Sequence, residues 1–503
     1  MRWPDRDGFR YTAADLDIPS RPNGVQTIRR SAGEQDRTPM ELKTQDEIRH
    51  AVAALSSGNR EAIDRLTWTG VFGPAELRAR ARAAIAAQAR SAGLYPASIH
   101  DLYLARGAGR VPGDFTVPAI NIRGMAYDTA RALFRARKAL DAGAVICEIA
   151  RSEIAYTDQR PEEYLCVVLA AALREGCTGP IFLQGDHFQV NAKRFVADRE
   201  GELRAVEALT AEALLAGFYN IDVDTSTLVD LTRDGHLAQQ ELNGGLCAAF
   251  TAFIRAREPA AVTVSVGGEI GEVGGKNSTP EELEAFMSVY REALGRLAPG
   301  KAGISKISIQ TGTSHGGVPL PDGSIAQVMI DFEALERCSA IARERYGLGG
   351  AVQHGASTLP AELFDRFPAL GACEIHLATE FQNMIFDHPR FPADLKREMY
   401  ERLRAVADDE RRPGDTDEQF FYKTRKKALG LFKRELWGLP VATRDAIGQA
   451  LEEKFTFLLT KLSVGGTQSM AAELAPPVPG AFPMPGISPG GDREHEDVSG
   501  LAD

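Results

Sequence analysis

The sequence predicts an α/β fold: a TIM (β/α)8 barrel with an N-terminal helical extension and C-terminal helices. Three observations predict it. Eight short β-rich runs alternate with Ala- and Leu-rich segments long enough for helices, the pattern of a parallel sheet. The eight units fill roughly 270 residues, the size of such a barrel. The first run leads into Asn121-Ile122-Arg123-Gly124-Met125. That turn lacks the Gly-rich phosphate signature of a doubly wound open sheet, so the closed barrel is preferred.

The elements follow in order. The first ~40 residues are polar, rich in Arg, Asp and Pro and without sustained periodicity, and read as either a mobile arm or a segment ordered on a partner. Helices are predicted from Glu47 to Leu55 and from Pro74 to Ala92. The second is made of strong helix formers, and its Arg series reads as a solvated face. The strands are Phe115–Ile122, Ala144–Ile149, Pro180–Gln184, Asn220–Val223, Ala261–Val266, Lys306–Gln310, Gly350–Gln353 and Glu374–Leu377. Between them lie helical stretches such as Ala126–Asp141, Pro161–Glu175, Glu202–Ala216 and Asn243–Glu258. Helices are expected again over Asp394–Asp408, Asp417–Glu435 and Thr443–Leu462. Beyond Ala475 the chain is rich in Pro and Gly, then acidic, and is expected to be a disordered tail. The predicted divisions are therefore 1–112, 113–390, 391–475 and 476–503.

Composition narrows the function class. The 503 residues carry 58 Lys+Arg against 69 Asp+Glu, a formal net charge of -11, which argues against a nucleic-acid binder. No run approaches the ~18 apolar residues of a membrane helix. The start, Met1 to Asp7, lacks the apolar core of a secretory signal. Cys147, Cys166, Cys177, Cys247, Cys338 and Cys373 are widely spread, as reduced thiols of a cytoplasmic enzyme would be.

Nine His are present, and their places are informative. His187 follows the third barrel strand in Gly185-Asp186-His187, and His315 follows the sixth in Gly312-Thr313-Ser314-His315-Gly316-Gly317. His354 ends the seventh in His354-Gly355-Ala356-Ser357, and His376 lies within the eighth. Catalytic groups of a TIM barrel sit at the C-terminal ends of its strands. Three imidazoles there can converge on one metal and leave an open position, as in catalytic zinc sites. Asp186 adjoins His187 and is a candidate proton donor or acceptor. The stretch Gly267-Gly268-Glu269-Ile270-Gly271-Glu272-Val273-Gly274-Gly275 sets two acids in a Gly-rich loop able to fold over substrate. Gly316-Gly317 and Gly355-Ala356-Ser357 offer backbone donors and a hydroxyl to a phosphate.

With these motifs in this order, residues from about 115 to 385 resemble the class II (metal-dependent) fructose-bisphosphate and tagatose-bisphosphate aldolase superfamily. The resemblance implies a divalent metal, usually zinc, on His187, His315 and His354, with Glu269 holding an alternate metal position or orienting the site. It implies Asp186 as the acid that serves the aldehyde oxygen. Asp224 and Ser226 match the Asp and Ser after strand four. Gly316, Gly355 and Ser357 match the ketose-phosphate positions, where a monovalent cation (K+ or Na+) assists. The implied activity is reversible cleavage of a ketose (bis)phosphate, such as fructose 1,6-bisphosphate, by a homo-oligomer. Two places depart from the family pattern. Lys276 and Asn277 stand where a proton-moving acid is common, which leaves Glu272 as its replacement. The eighth strand reads His376-Leu377-Ala378-Thr379, so His376 and Thr379 become candidates at the substrate. Another sugar-phosphate lyase or epimerase on the same barrel is the alternative. Strand two and the C-terminus are also similar to non-catalytic partner subunits of tagatose-bisphosphate aldolases.

Overall fold

Nine strands, all paired in parallel, form the sheet in the computed structural model, which describes residues 41–271, 276–312, 330–357, 359–483 and 501. They are β1 (Leu94–Ala97), β2 (Val117–Asn121), β3 (Ile146–Ala150), β4 (Gly179–Gln189) and β5 (Asn220–Asp224). The rest are β6 (Ser265–Glu269), β7 (Lys306–Ile309), β8 (Ala351–Gln353) and β9 (Glu374–Leu377). β2 through β9 pair in sequence, and β9 returns to β2 through Val117↔Glu374 and Ile120↔Leu377. The eight strands thus close into the predicted barrel, each predicted strand overlapping an observed one. Helices follow the strands, among them Ala126–Ala139 after β2, Pro161–Glu175 after β3 and His236–Arg255 after β5. Thr279 caps the helix Pro280–Leu297 with a capping box completed by Glu282, and Pro280 occupies its first turn.

β1 is an element the sequence reading lacks. It pairs with the first residues of β4, Leu94↔Gly179 to Ala97↔Phe182, before β5 takes over at Gln184↔Asn220. Asn220 joins the two by bonding Ile99 N and Ala97 O. The helix His100–Gly107 then meets the N-terminal ends of the strands. Arg106 donates to the carbonyls of Gly349 and Ala372, and the Tyr103 hydroxyl donates to Glu374. Its run Leu-Tyr-Leu-Ala sits beside Gly and Pro, which hid it from a periodicity test.

The Arg series of the helix Ala75–Ser91 is not wholly solvated. Arg82 donates to Gly70 O at 2.7 Å and pairs with Glu163 at 3.3 Å. At the other end of the chain, Thr467 Oγ accepts from Gly143 N and Ala144 N, which anchors the C-terminal helices to the loop before β3. The predicted helix 417–435 is broken into Asp417–Thr424, Ala428–Leu431 and Lys433–Trp437. Its second piece lies on the short helix Arg151–Tyr156 that follows β3, where a Cβ on Gly430 would stand 2.3 Å from Tyr156 O. The polar N-terminal arm and most of the predicted tail lie outside the described residues.

The barrel interior is polar where Val, Ile and Leu usually dominate. Glu148, Gln184, Asp222, Lys306, Glu374 and His376 are all buried. Each lies on a barrel strand, with Asn121, Asp186 and Ser308 in the same alternation. Gly267 makes room, since a Cβ there would stand 2.2 Å from Asp222 Oδ1.

Candidate metal centre

β4 runs five residues beyond the predicted strand and carries Asp186 and His187 within it. Its register with β5 shifts between Gly185 and Phe188. A side chain at Gly185 would meet the Phe188 ring at 2.5 Å. The irregularity leaves His187 at φ 38°, a left-handed conformation that costs a non-glycine residue on the order of 1–3 kcal/mol. Such strain is held where the surroundings over-determine it, and here they do. Asp224 Oδ2 lies 3.0 Å from His187 Nδ1 and accepts from Gln189 Nε2 at 2.5 Å. Its other oxygen accepts from the Ser226 N–H and hydroxyl. Asp224 and Ser226 therefore orient His187, the arrangement of a carboxylate behind a metal-bound imidazole.

His187, Glu269 and His354 come together with one ligand atom each within 4.8 Å of the others, all buried. The His187 and His354 rings lie 4.4 Å apart at their centroids. Ser308 Oγ lies 3.0 Å from His354 Nε2. Two imidazoles and a carboxylate, steadied by a second shell, are donors that suit zinc or a similar divalent ion. Burial and the neighbouring Asp224 push Glu269 up to about 7. Burial alone would lower His187, but Asp186 and Glu269 outweigh it and hold the imidazole well above its ordinary value. Burial would likewise raise Asp186, yet His187 and His376 hold it well below the usual carboxylate range.

The other predicted residues fall into three groups. Ser357 Oγ accepts from Ala378 N at 2.7 Å, tying the loop after β8 to that after β9. Gly355 beside it has φ +67°. Thr379 opens the helix Thr379–Phe386 that follows β9. His376 is buried in the interior, its Nδ1 3.1 Å from Asp186 Oδ1 and its ring 3.9 Å from that of His354. His315, Gly316 and Glu272 lie outside the described residues.

A network beneath this cluster was missed by the sequence reading. Lys306 Nζ reaches Gln184 Oε1 at 2.8 Å and Asp222 at 2.9 Å, and pairs with Glu374. The placement of Lys306 at the start of its strand holds, and its ammonium is fully engaged there. Asn121 Nδ2 donates to Glu148 and Asp186 at 3.1 Å each. Burial and Asp186 push Glu148 up to about 8. The signal was present as period-2 polar residues in otherwise apolar strands, such as Asn220-Ile221-Asp222-Val223-Asp224 and Glu374-Ile375-His376.

A closed barrel with imidazoles and carboxylates at the C-terminal ends of its strands defines an α/β-barrel protein with side chains that could hold a divalent metal. The family model described as fructose-bisphosphate aldolase class-II matches residues 111–431, and the chain belongs to that family. Solved structures are similar at low identity. The fructose-bisphosphate aldolase of Campylobacter jejuni is 18% identical, with 74% of this chain and 96% of that one covered, at TM-score 0.43. The YdjI aldolase of Escherichia coli K12 is 13% identical, with 75% and 99% covered, at TM-score 0.43. The fructuronate-tagaturonate epimerase UxaE of Cohnella laeviribosi is 13% identical, with 72% and 81% covered, at TM-score 0.42. No described helix is long and apolar enough to cross a membrane.

Proposed function

We propose that this chain is a zinc-dependent aldolase that reversibly cleaves a ketose (bis)phosphate, such as fructose 1,6-bisphosphate, to dihydroxyacetone phosphate and an aldehyde. The observation that carries the reading is the convergence of His187, Glu269 and His354 beside Asp186. His315 joins the ligand set in this proposal. These residues would hold a divalent ion, which would supply Lewis-acid stabilisation to the negative charge that develops beside the carbonyl.

The chain's own groups do the rest. Asp186, held ionised, takes the substrate hydroxyl proton in cleavage and returns it in condensation. Asn121 holds its Oδ2, so one oxygen is positioned for that transfer. Glu272 moves the carbon-bound proton. Gly316, Gly355 and the Ser357 hydroxyl, whose own proton is available while its oxygen accepts from Ala378 N, bind the phosphate with the help of a monovalent cation. Thr379 adds a hydroxyl at the helix start after β9. Lys306 forms no imine, because its ammonium serves Asp222 and Glu374 at the far end of the strand.

The test is direct. Chelation should abolish cleavage of fructose 1,6-bisphosphate, zinc should restore it, and His187→Ala should lose both metal and activity. Full cleavage by metal-stripped protein would sink the reading. A second reading, epimerisation of a sugar phosphate in the same pocket, is favoured by Ala378, which offers substrate hydroxyls no side-chain acceptor at the end of β9. Epimer formation with no carbon–carbon cleavage would select it.

A further inference from the structure

We propose that Asn243 is a positioning residue of the candidate metal centre: with Gln240 and Thr225 it fixes Glu269, and the carboxylate behind His187, from a single helix. This role rests on the metal reading above and extends it to side chains standing behind the ligands. Gln240 and Asn243 lie one turn apart on the same face of the helix His236–Arg255. Both are buried, Asn243 completely. Amides in such a place are costly unless their donors and acceptors are met.

Here they are met at the ends of two barrel strands. Asn243 Nδ2 donates to Glu269 O and to Gln240 Oε1, each at 2.8 Å. Gln240 Nε2 donates to Ile270 O at 2.9 Å. The two amides therefore grip consecutive carbonyls where β6 ends and its Gly-rich loop begins. On the other side, the Thr225 hydroxyl donates to Asn243 Oδ1 at 2.6 Å. Thr225 is completely buried and directly follows the last residue of β5.

These bonds converge on the metal centre. Glu269 is the carboxylate of the His187–Glu269–His354 group, its Oε2 3.4 Å from His187 Nδ1. Thr225 adjoins Asp224, whose Oδ2 lies 3.0 Å from the same nitrogen. The ladder between β5 and β6 runs from Asn220↔Ser265 to Asp222↔Gly267 and stops short of both carboxylates. Asn243 bridges the two strands beyond that point. Its helix is itself held firmly. A Cβ on the adjoining Gly244 would stand 3.1 Å from Phe286 O, so the helix lies tight against Pro280–Leu297. A functional site needs its groups held to within about 0.5 Å, and this bridge sets the separation of Glu269 from Asp224 and His187. Loss of such outer partners typically weakens metal binding about 10–100-fold.

A role confined to packing predicts lower stability with unchanged metal binding, and the experiment separates the two. The full-length protein is stripped with chelator and titrated with Co2+ alone, whose visible absorption reports ligand geometry. Melting temperatures are recorded on the metal-free chains. Asn243→Ala and Thr225→Val should bind Co2+ about 10–100-fold more weakly than wild type, with an altered absorption band. Thr225→Ser keeps the hydroxyl and should bind as wild type does. Thr251 is completely buried further along the same helix, where its hydroxyl bonds Cys247 O and Tyr290. Thr251→Val should therefore lower the melting temperature and leave Co2+ binding unchanged. Wild-type Co2+ affinity and absorption in Asn243→Ala and Thr225→Val would overturn the proposal. So would an equal loss in Thr251→Val, or Thr225→Ser binding as weakly as Thr225→Val. Should Asn243→Ala not fold, the Thr225→Val and Thr225→Ser pair decides. Failure of the metal reading looks different: wild type itself then takes up no Co2+, and both fall together.

Discussion

Replacing Lys306 with Met removes the one Lys or Arg side chain among the described residues that pairs with both Asp222 and Glu374, while keeping the length of the side chain. In the native chain Lys306 is completely buried and touches Asp222, Glu374 and Gln184. Breaking a buried pair from one side costs about 3–5 kcal/mol, because the abandoned charge stays behind. Here two charges are left. At about 1 kcal/mol/K of unfolding entropy for a chain of this size, the loss lowers the melting temperature by about 3–5 °C. The pH dependence is the sharper readout. With Lys306 present, burial is outweighed and Glu374 is lowered to about 2, so its stabilising contribution is present above 4.5 and lost as pH falls toward 2. Without the ammonium, burial raises Glu374 above its ordinary value and pushes Asp222, already up at about 6, further up. That contribution is then favourable at low pH and lost as pH rises. The gap between variant and wild type should therefore widen from pH 5 to pH 8 in thermal melts followed by circular dichroism. Adding Asp222→Asn and Glu374→Gln should recover most of the loss, since no buried charge then lacks a partner. A variant melting within 1 °C of wild type at pH 8, on the roughly 1 °C per kcal/mol scale used above, would refute the account.

Two further perturbations follow. His100 is buried at the bottom of the barrel, and burial, with Arg255 nearby, pulls its pKa from 6.5 down to about 4. The unfolded chain binds a proton that the folded chain refuses between those values. Stability is full above pH 6.5 and falls by about 3 kcal/mol on the way to pH 4. His100→Gln should flatten that part of a urea-midpoint profile, and an unchanged slope would contradict the account. Gly430→Ala drives a methyl group into the backbone carbonyl of Tyr156. Overpacking of this kind costs about 1–3 kcal/mol. Limited proteolysis should cut the 417–437 segment faster than in wild type, and equal rates would show that the contact yields easily.

Much of the fold was legible in the sequence because its cues are local. β-rich runs such as Ile146–Ala150 and the helix formers between them set the eight-fold alternation. The strand-end positions of these motifs were legible for the same reason: Gly185-Asp186-His187 and His354-Gly355 stand in or beside strands that could be counted. β1 was not legible, because Leu-Tyr-Pro-Ala is too short to declare itself without β4 beside it. The break in the 417–435 helix was hidden too, since that segment packs on the helix Arg151–Tyr156, more than 250 residues away.

The sequence by itself determined the barrel, the family pattern and the histidines that point to a metal, since periodicity and short motifs act through near neighbours. Only the tertiary structure decided what fills the barrel. Glu148, Asp222, Lys306, Glu374 and His376 come from strands far apart in the chain, and closure of the sheet brings them within hydrogen-bonding distance. Whether such groups cancel, share protons or hold a cation depends on distances of a few ångströms in a dry interior. Strand-by-strand reading carries no information about those distances.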